Sequence, residues 1–212
     1  VQITRVPLYP NHGPSAIKRV VNYASFAASA LVYGLFVAKR ADVIYAYHPP
    51  LTVGITASLI RLFRRIPVVY DIQDMWPDTL RATGMINHPR VLNAIEAACQ
   101  WVYKRVDQIV VLSPGFKRLL MQRGVPAAKV EVIYNWADEA ALVAPLGQLP
   151  VSFPGSERFR IVFAGNMGKA QAMDAVLDAA AILQARDSRV CFVLLGGGVE
   201  VNQLKQRTAQ LH

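Results

Sequence analysis

The sequence predicts an α/β protein: a parallel sheet with helices on both faces, followed by the beginning of a second unit of the same kind. Three observations predict it. Short apolar runs rich in Val, Ile, Phe and Tyr alternate in strict order with longer helical stretches. The short runs are apolar throughout rather than at every second residue, as strands buried on both faces are. Most polar residues of interest directly follow these runs, where ligands bind in open parallel sheets.

A short strand at 2–6 opens the chain, and a helix at 15–38 follows it. Within that helix, residues 20–38 form 19 consecutive uncharged residues between Lys18-Arg19 and Lys39-Arg40, long enough to span a bilayer. Against spanning, Lys18, Asn22, Ser25 and Ser29 draw a thin polar stripe along one face. A helix between two strands of one sheet also stays with its domain. The expectation is a core-packed helix with an exposed apolar-aromatic edge at Tyr23, Phe26 and Tyr33. Strands follow at 42–47, 67–71, 108–112 and 130–134, with helices at 51–64, 88–105 and 114–123 between them. Ser113-Pro114 marks a helix start, with Ser as cap and Pro in the first turn.

Residues 138–157 contain three prolines and two glycines without sustained periodicity, so they read as a linker. Strands at 159–164 and 190–195 and helices at 170–185 and 199–211 begin the second unit. The expected division is a first domain at 1–137, a linker at 138–157 and the start of a second domain at 158–212. Residue 1 is Val rather than Met, and two strands with two helices bury too little to close a domain. The sequence therefore reads as a piece of a longer protein.

Composition bounds the rest. With 53% hydrophobic and 17% charged residues, a disordered tail is excluded. Two cysteines, Cys99 and Cys191, exclude a disulfide scaffold and suit a reducing, cytosolic setting. The net charge is +9, and it is uneven. Up to Arg65 there are eight basic residues against Asp42 alone, giving +7 and leaving +2 for the other 147 residues. A basic first third suits phosphate, nucleic acid or lipid headgroups. Lys18, Arg19, Tyr23, Phe26, Lys39 and Arg40 would form a membrane-facing set on anionic lipid. A packed helix with solvated basic residues fits the same sequence.

The loops after the strands carry the chemistry. Gly165-Asn166-Met167-Gly168 and Gly196-Gly197-Gly198 each follow a strand and precede a helix, where backbone N–H groups can approach a phosphate. They read equally as tight turns. Neither is G-x-G-x-x-G, and no GK[ST] occurs, so neither NAD nor a P-loop is implied. His48 precedes Pro49-Pro50, which hold the loop extended. A neutral His there suits a sugar hydroxyl or proton transfer, or is simply a loop residue. Asp71, Asp74, Asp78 and Trp76 lie within eight residues. Carboxylates and an aromatic face suit carbohydrate; helix capping and core packing explain the same residues. His12, His88 and His212 show no ligand spacing with Cys or Asp, so no metal site is expected.

The runs ADVIYAYHPPLTVG (41–54), PVVYDIQDMWPDTLRATGM (67–85), VLSPGFKRLLMQRGVP (111–126), VEVIYNWADE (130–139) and FAGNMGKAQAMD (163–174) resemble the GT-B glycosyltransferases of family 4. They are most similar to the bacterial branch that builds O-antigen, capsule and colanic acid, as is RVPLYPNHGPSAIKRVVNYASF (5–26). The resemblance implies two Rossmann-like domains, an acceptor domain and then a nucleotide-sugar domain. It implies a retaining transfer, from a UDP-sugar as a rule, with no metal or other cofactor. His48 matches the family's active-site His, and Asn135 its N-G-x-D-like turn, with Trp136 in place of Gly. Gly165 to Gln171 match the donor-phosphate segment, and Gly196, Gly197 and Gly198 its G-x-G turn. Where the family often has Arg and Lys, this sequence has Asn166 and Gln171, and Lys169 would supply part of that grip.

By the resemblance, backbone N–H groups at Gly165–Gly168 and Gly196–Gly198 would stabilise the leaving phosphate. His48 would orient a donor hydroxyl, and Asp71 or Asp74 would hold the acceptor, a sugar on a polyprenyl diphosphate at the inner face of the plasma membrane. The family's first strands would precede Val1 and its E-x7-E segment would follow His212, so the piece alone would be inactive. Three rivals share parts of the pattern: a GT-B sugar-nucleotide epimerase, a nucleic-acid binder, and a non-catalytic membrane-associated assembly subunit. No RRM, KH or zinc pattern supports the second.

Overall fold

The computed structural model describes residues 2–11, 16–84, 86–139, 157–187 and 189–211. The chain divides into two compact units, Val1–Arg81 with Met85–Ala137 and Ala82–Gly84 with Asp138–His212. Most of the expected linker, residues 140–156, lies outside the described residues.

In the first unit, β1 (Ile44–His48), β2 (Val68–Ile72), β3 (Gln108–Val111) and β4 (Val130–Val132) form a parallel sheet in the order β1-β2-β3-β4. Helices α2 (Leu51–Arg64), α3 (Asp78–Ala82), α4 (Pro89–Arg105) and α5 (Pro114–Gln122) connect them. The Ser113 hydroxyl accepts from the Phe116 N–H at 3.3 Å, capping α5 as its sequence requires. The predicted strands and helices from 42 to 134 are all present, within a few residues of their expected ends. The short α3 was not predicted.

One core holds this unit together. The register sets Ala46 beside Tyr70 and Ile109, and His48 beside Ile72 and Val111. These residues share one face of the sheet. Ala46, Tyr70, Ile72, Ile109 and Val111, with Val68 and Val130, form a single buried cluster with Leu51 and Ala57 of α2, Cys99, Val102 and Tyr103 of α4, and Leu120 of α5. The other face carries Tyr45 and Tyr47, 59% and 56% exposed, with Gln108 and Glu131 also exposed. The connecting helices α2, α4 and α5 supply side chains to the shared buried face. The reason is topological. Strands added one after another in one direction, each through a right-handed crossover, place every crossover helix on the same side.

Two expectations fail in this unit. Residues 2–6 form no strand; the segment runs beside α1 (Ala16–Val32) instead. The Tyr9 N–H donates to Ser25 Oγ at 2.9 Å, Asn22 Nδ2 donates to the Tyr9 carbonyl at 2.7 Å, and Thr4 and Tyr33 hydroxyls meet at 3.2 Å. The polar stripe on α1 thus serves this segment. Nor is α1 a core helix. None of the window Val20–Val37 is buried, although its mean hydropathy is 1.6. Besides that segment, α2 covers one side of α1: Thr56 Oγ1 of α2 donates to the Ala27 carbonyl at 3.3 Å, and Gly34 lies against Ile60. The helix ends in a π-turn at Tyr33–Val37.

The second unit contains β5 (Phe159–Ala164) and β6 (Val190–Leu195), paired in parallel from Phe159↔Val190 to Ala164↔Leu195. Helices α6 (Met173–Arg186) and α7 (Val201–Gln210) follow them. Its buried cluster is small: Met167, Met173, Leu177 and Leu204. An open, mostly apolar cavity of about 590 Å³ lies beside them, lined by Leu177, Leu194 and Leu204 among others.

Candidate functional site

His48 is the last residue of β1 and is 2% exposed. Strand alternation turns its side chain toward the core, between two aromatic edges. The Tyr70 ring stands 5.8 Å away and the Trp76 ring 5.4 Å away, both near perpendicular. Burial holds its pKa down at about 4, against a smaller upward pull from Asp71, so the imidazole is neutral at physiological pH. Its Nδ1 is buried without a hydrogen-bond partner among the described residues. Such an orphaned polar atom costs stability unless something else satisfies it. Trp76 also packs against the core, so its structural and functional readings coexist.

The two predicted carboxylates differ. Asp71 lies one residue before Ile72, His48's register partner, so its side chain takes the opposite face of the sheet. It is 5% exposed and already engaged: the Tyr45 hydroxyl donates to Oδ2 and Gln73 Nε2 to Oδ1 at 2.7 Å. The Tyr45 phenol is in turn pushed up to about 12, chiefly by that hydrogen bond. Asp74, in the loop after β2, is half-buried, and its carboxylate has no partner among the described residues. Asp78 is tied to Arg123, which also donates to the Trp76 carbonyl at 3.1 Å and approaches Glu96 at 3.9 Å. Arg123 thus fixes the loop that presents Trp76 to His48. Sequence patterns gave no sign of this arginine or of Tyr45, because both act through spatial neighbours 26 to 47 positions away.

In the second unit the two glycine turns pack on one another. Gly196 and Gly198 have φ of +145° and +146°, a region that L-residues with a side chain avoid. A Cβ on Gly196 would stand 1.9 Å from the Gly165 carbonyl oxygen, and one on Gly198 would stand 2.3 Å from that of Met167. The expected phosphate donors need correction here. The Gly165 N–H is spent on the Leu195 carbonyl at 2.9 Å, Met167 on Gly197 at 2.7 Å and Gly168 on Gln171 Oε1 at 3.1 Å. The N–H groups of Asn166, Gly196, Gly197 and Gly198 have no partner among the described residues. Gln171 is folded back onto its own turn, while Lys169 and Asn166 are exposed.

Asn135 and Trp136 follow β4 in the first unit and are exposed, Trp136 at 86%. Of the expected membrane-facing set, Lys18, Tyr23, Lys39 and Arg40 are exposed and Phe26 is half-buried. The Arg19 side chain lies outside what is described, as do His12 and His212. Among the described residues no three His, Cys, Asp or Glu side chains gather into a metal-holding group.

A parallel α/β unit with a buried histidine at the C-terminal end of its first strand, followed by a second unit with interlocked glycine turns, defines a GT-B-type fold. Residues 1–136 match the model of the glycosyl transferase 4-like domain, and the chain belongs to that family. It is similar to WcaI of Escherichia coli K12, named as a colanic acid biosynthesis glycosyl transferase, at 25% identity over 98% of this chain and 53% of that protein. It is also similar to WbjE of Pseudomonas aeruginosa, named as a glycosyltransferase, at 23% identity over 82% of this chain and 44% of that one. The chain spans about half the length of these curated relatives. Among solved structures, Anabaena HepE in complex with UDP and glucose superposes with a TM-score of 0.59 at 18% identity, over 95% of this chain and 51% of that one. A UDP-N-acetylglucosamine 2-epimerase superposes at 0.52 and 16% identity, over 90% and 48%. The fold is thus shared with epimerases, and the family model is what separates the chain from them.

Proposed function

We propose that this chain is part of a glycosyltransferase of bacterial surface polysaccharide synthesis. It transfers a hexosyl or N-acetylhexosaminyl group from a UDP-sugar to a lipid-linked saccharide. Family membership and the relatives' names support transfer, and the UDP and UDP-glucose complexes of HepE support the donor. The observation that carries the site is the buried, neutral His48 with its unpartnered Nδ1. Neutral imidazole presents one donor and one acceptor, which suits a sugar hydroxyl and needs no metal.

In this reading the acceptor hydroxyl oxygen bonds to the anomeric carbon on the face from which UDP leaves, with retention. The bond to the β-phosphate oxygen breaks, and that oxygen takes the acceptor's proton. The unpartnered N–H groups of Asn166 and Gly196–Gly198, with Lys169, stabilise the charge that builds on it. Asp74, whose carboxylate is available, holds the acceptor side; Asp71 instead braces Tyr45. The protein works in the cytoplasm on the inner face of the plasma membrane.

The test is incubation of the protein carrying this chain with bacterial membranes and a panel of radiolabelled UDP-sugars. Label entering a lipid fraction supports transfer; epimerised or hydrolysed donor alone overturns it. In that assay His48→Ala lowers the rate at least tenfold with the fold intact, as loss of a positioned proton-transfer or hydrogen-bonding group does.

A further inference from the structure

Asp71 is a buried carboxylate held by neutral donors. The Tyr45 hydroxyl donates to its Oδ2, and Gln73 Nε2 donates to its Oδ1 at 2.7 Å. A charge taken out of water persists only where its hydrogen bonds are met, so both donors are required partners. They come from two places. Tyr45 belongs to β1, whose last residue is His48, and Gln73 opens the loop after β2. Asp71 therefore ties β1 to the start of the loop that carries Asp74. The Tyr45 phenol, pushed up to about 12, stays a donor at physiological pH. The far side of the same loop is fixed as well. The Trp76 N–H donates to the Asp74 carbonyl at 3.2 Å, Met75 is buried in the core, and Arg123 donates to the Trp76 carbonyl at 3.1 Å. Asp74 is thus suspended between two anchors, with its own carboxylate left without a partner among the described residues.

We infer that Tyr45, Asp71 and Gln73 form a brace that positions the Asp74 carboxylate against the hydroxyls of the saccharide acceptor. Tyr45 and Gln73 are positioning residues: they act through Asp71 and the backbone at Gln73, and the group they aim is Asp74. A carboxylate accepts hydroxyl hydrogen bonds over about 2.5–2.7 Å, so a loop that wanders loses them. Misplacement by about 1 Å is enough to cost about a hundredfold in rate. An apolar residue at position 71 would fill the same space without the desolvation cost, but it would leave Gln73 untied. The inference rests on the proposed function for what Asp74 holds. The brace itself is read without any substrate, so the two fail separately.

The experiment applies two readouts to the protein carrying this chain. Amide hydrogen exchange at Trp76 should quicken at least about tenfold in Tyr45→Phe and in Gln73→Leu, with exchange in Ile109–Val111 unchanged. In transfer of label from a radiolabelled UDP-sugar to bacterial membranes, both variants should raise the KM for membranes at least about tenfold and keep the KM for the UDP-sugar within about twofold. Asp71→Ala should behave likewise, and Asp71→Asn should recover most of what Asp71→Ala loses. Its amide oxygen still accepts from Tyr45, and its NH2 donates to a turned Gln73 amide, so the geometry survives without the charge. Four results overturn the inference: unchanged exchange at Trp76 in both variants, an unchanged KM for membranes, both KM values rising together, or Asp71→Asn no better than Asp71→Ala. A wild type that transfers no label overturns the proposed function instead, and exchange at Trp76 then decides the brace by itself.

Discussion

His48 is a buried base whose protonation is linked to folding. Unfolded, an imidazole takes up a proton near pH 6.5; in this fold it does so only near pH 4, because burial disfavours the charge. Between those values the unfolded chain binds the extra proton. The stability that neutral His48 contributes is therefore complete above pH 6.5 and is lost as the pH falls toward 4. Lowering the pH from 7 to 5 should cost about 2 kcal/mol through this residue alone. Urea unfolding of the wild type and of His48→Gln at the two pH values isolates that difference, since the carboxylates titrate alike in both. Equal pH dependence would mean that His48 is solvated. The glycine turns permit a second comparison. Gly196→Ala and Gly198→Ala force a side chain into a carbonyl at unfavourable φ and should each destabilise by about 1–3 kcal/mol. Gly197, with nothing within 4 Å of its Cβ position, should accept Ala within about 0.5 kcal/mol. Three adjacent and identical residues thus separate by backbone demand, which thermal unfolding reads directly.

At the scale of elements, α5 and the loop after β2 act as one piece because Arg123 joins them. Its side chain is 13% exposed, and the guanidinium meets the Trp76 carbonyl, Asp78 and Glu96 together. Removing it strands Asp78 and frees the loop that holds Trp76 on His48. Arg123→Met should cost about 1–2 kcal/mol in unfolding experiments, since Asp78 and Glu96 keep access to water. Arg123→Lys, which keeps the charge but loses the planar fork, should fold and yet lower the rate of transfer. Equal rates for wild type and the Lys variant would reduce Arg123 to a structural role. Such ties are what sequence patterns cannot show. Strands and helices from 42 to 134 were legible because continuous apolar runs and the Ser113-Pro114 cap act locally. His48, Asp74 and the glycine turns were legible because they follow strands. Residues 2–6 misled, since a short apolar run is a strand only if a neighbouring strand is free to pair with it. The uncharged stretch of α1 misled for a related reason: hydropathy reports what a face would prefer to touch, not what covers it. The spent N–H groups of Gly165 and Gly168 were beyond reach as well, because their acceptors lie on another loop or on a side chain turned back.

At the scale of the 212 residues together, the two units are unequal. The first buries sixteen side chains in one cluster around four strands. The second buries four around two, and the cavity of about 590 Å³ lies beside them. Its strand β5 is largely exposed, with Phe159 at 71% and Val162 at 50%. Burial of apolar surface is the main favourable term in folding, and a two-stranded sheet is marginal on its own. Taken as these 212 residues alone, the second unit should therefore open well below the unfolding free energy of the first. Amide hydrogen exchange resolves this, because each 1.4 kcal/mol of opening free energy is a factor of ten in protection. Amides in Val68–Ile72 and Gln108–Val111 should exchange at least about a hundredfold more slowly than those in Phe159–Ala164 and Val190–Leu195. Saturating UDP should raise protection in the second pair alone, because a ligand stabilises the state that binds it. Uniform protection across both sheets would show that the units fold as one. A gain on UDP confined to the first sheet would move the donor site away from the glycine turns.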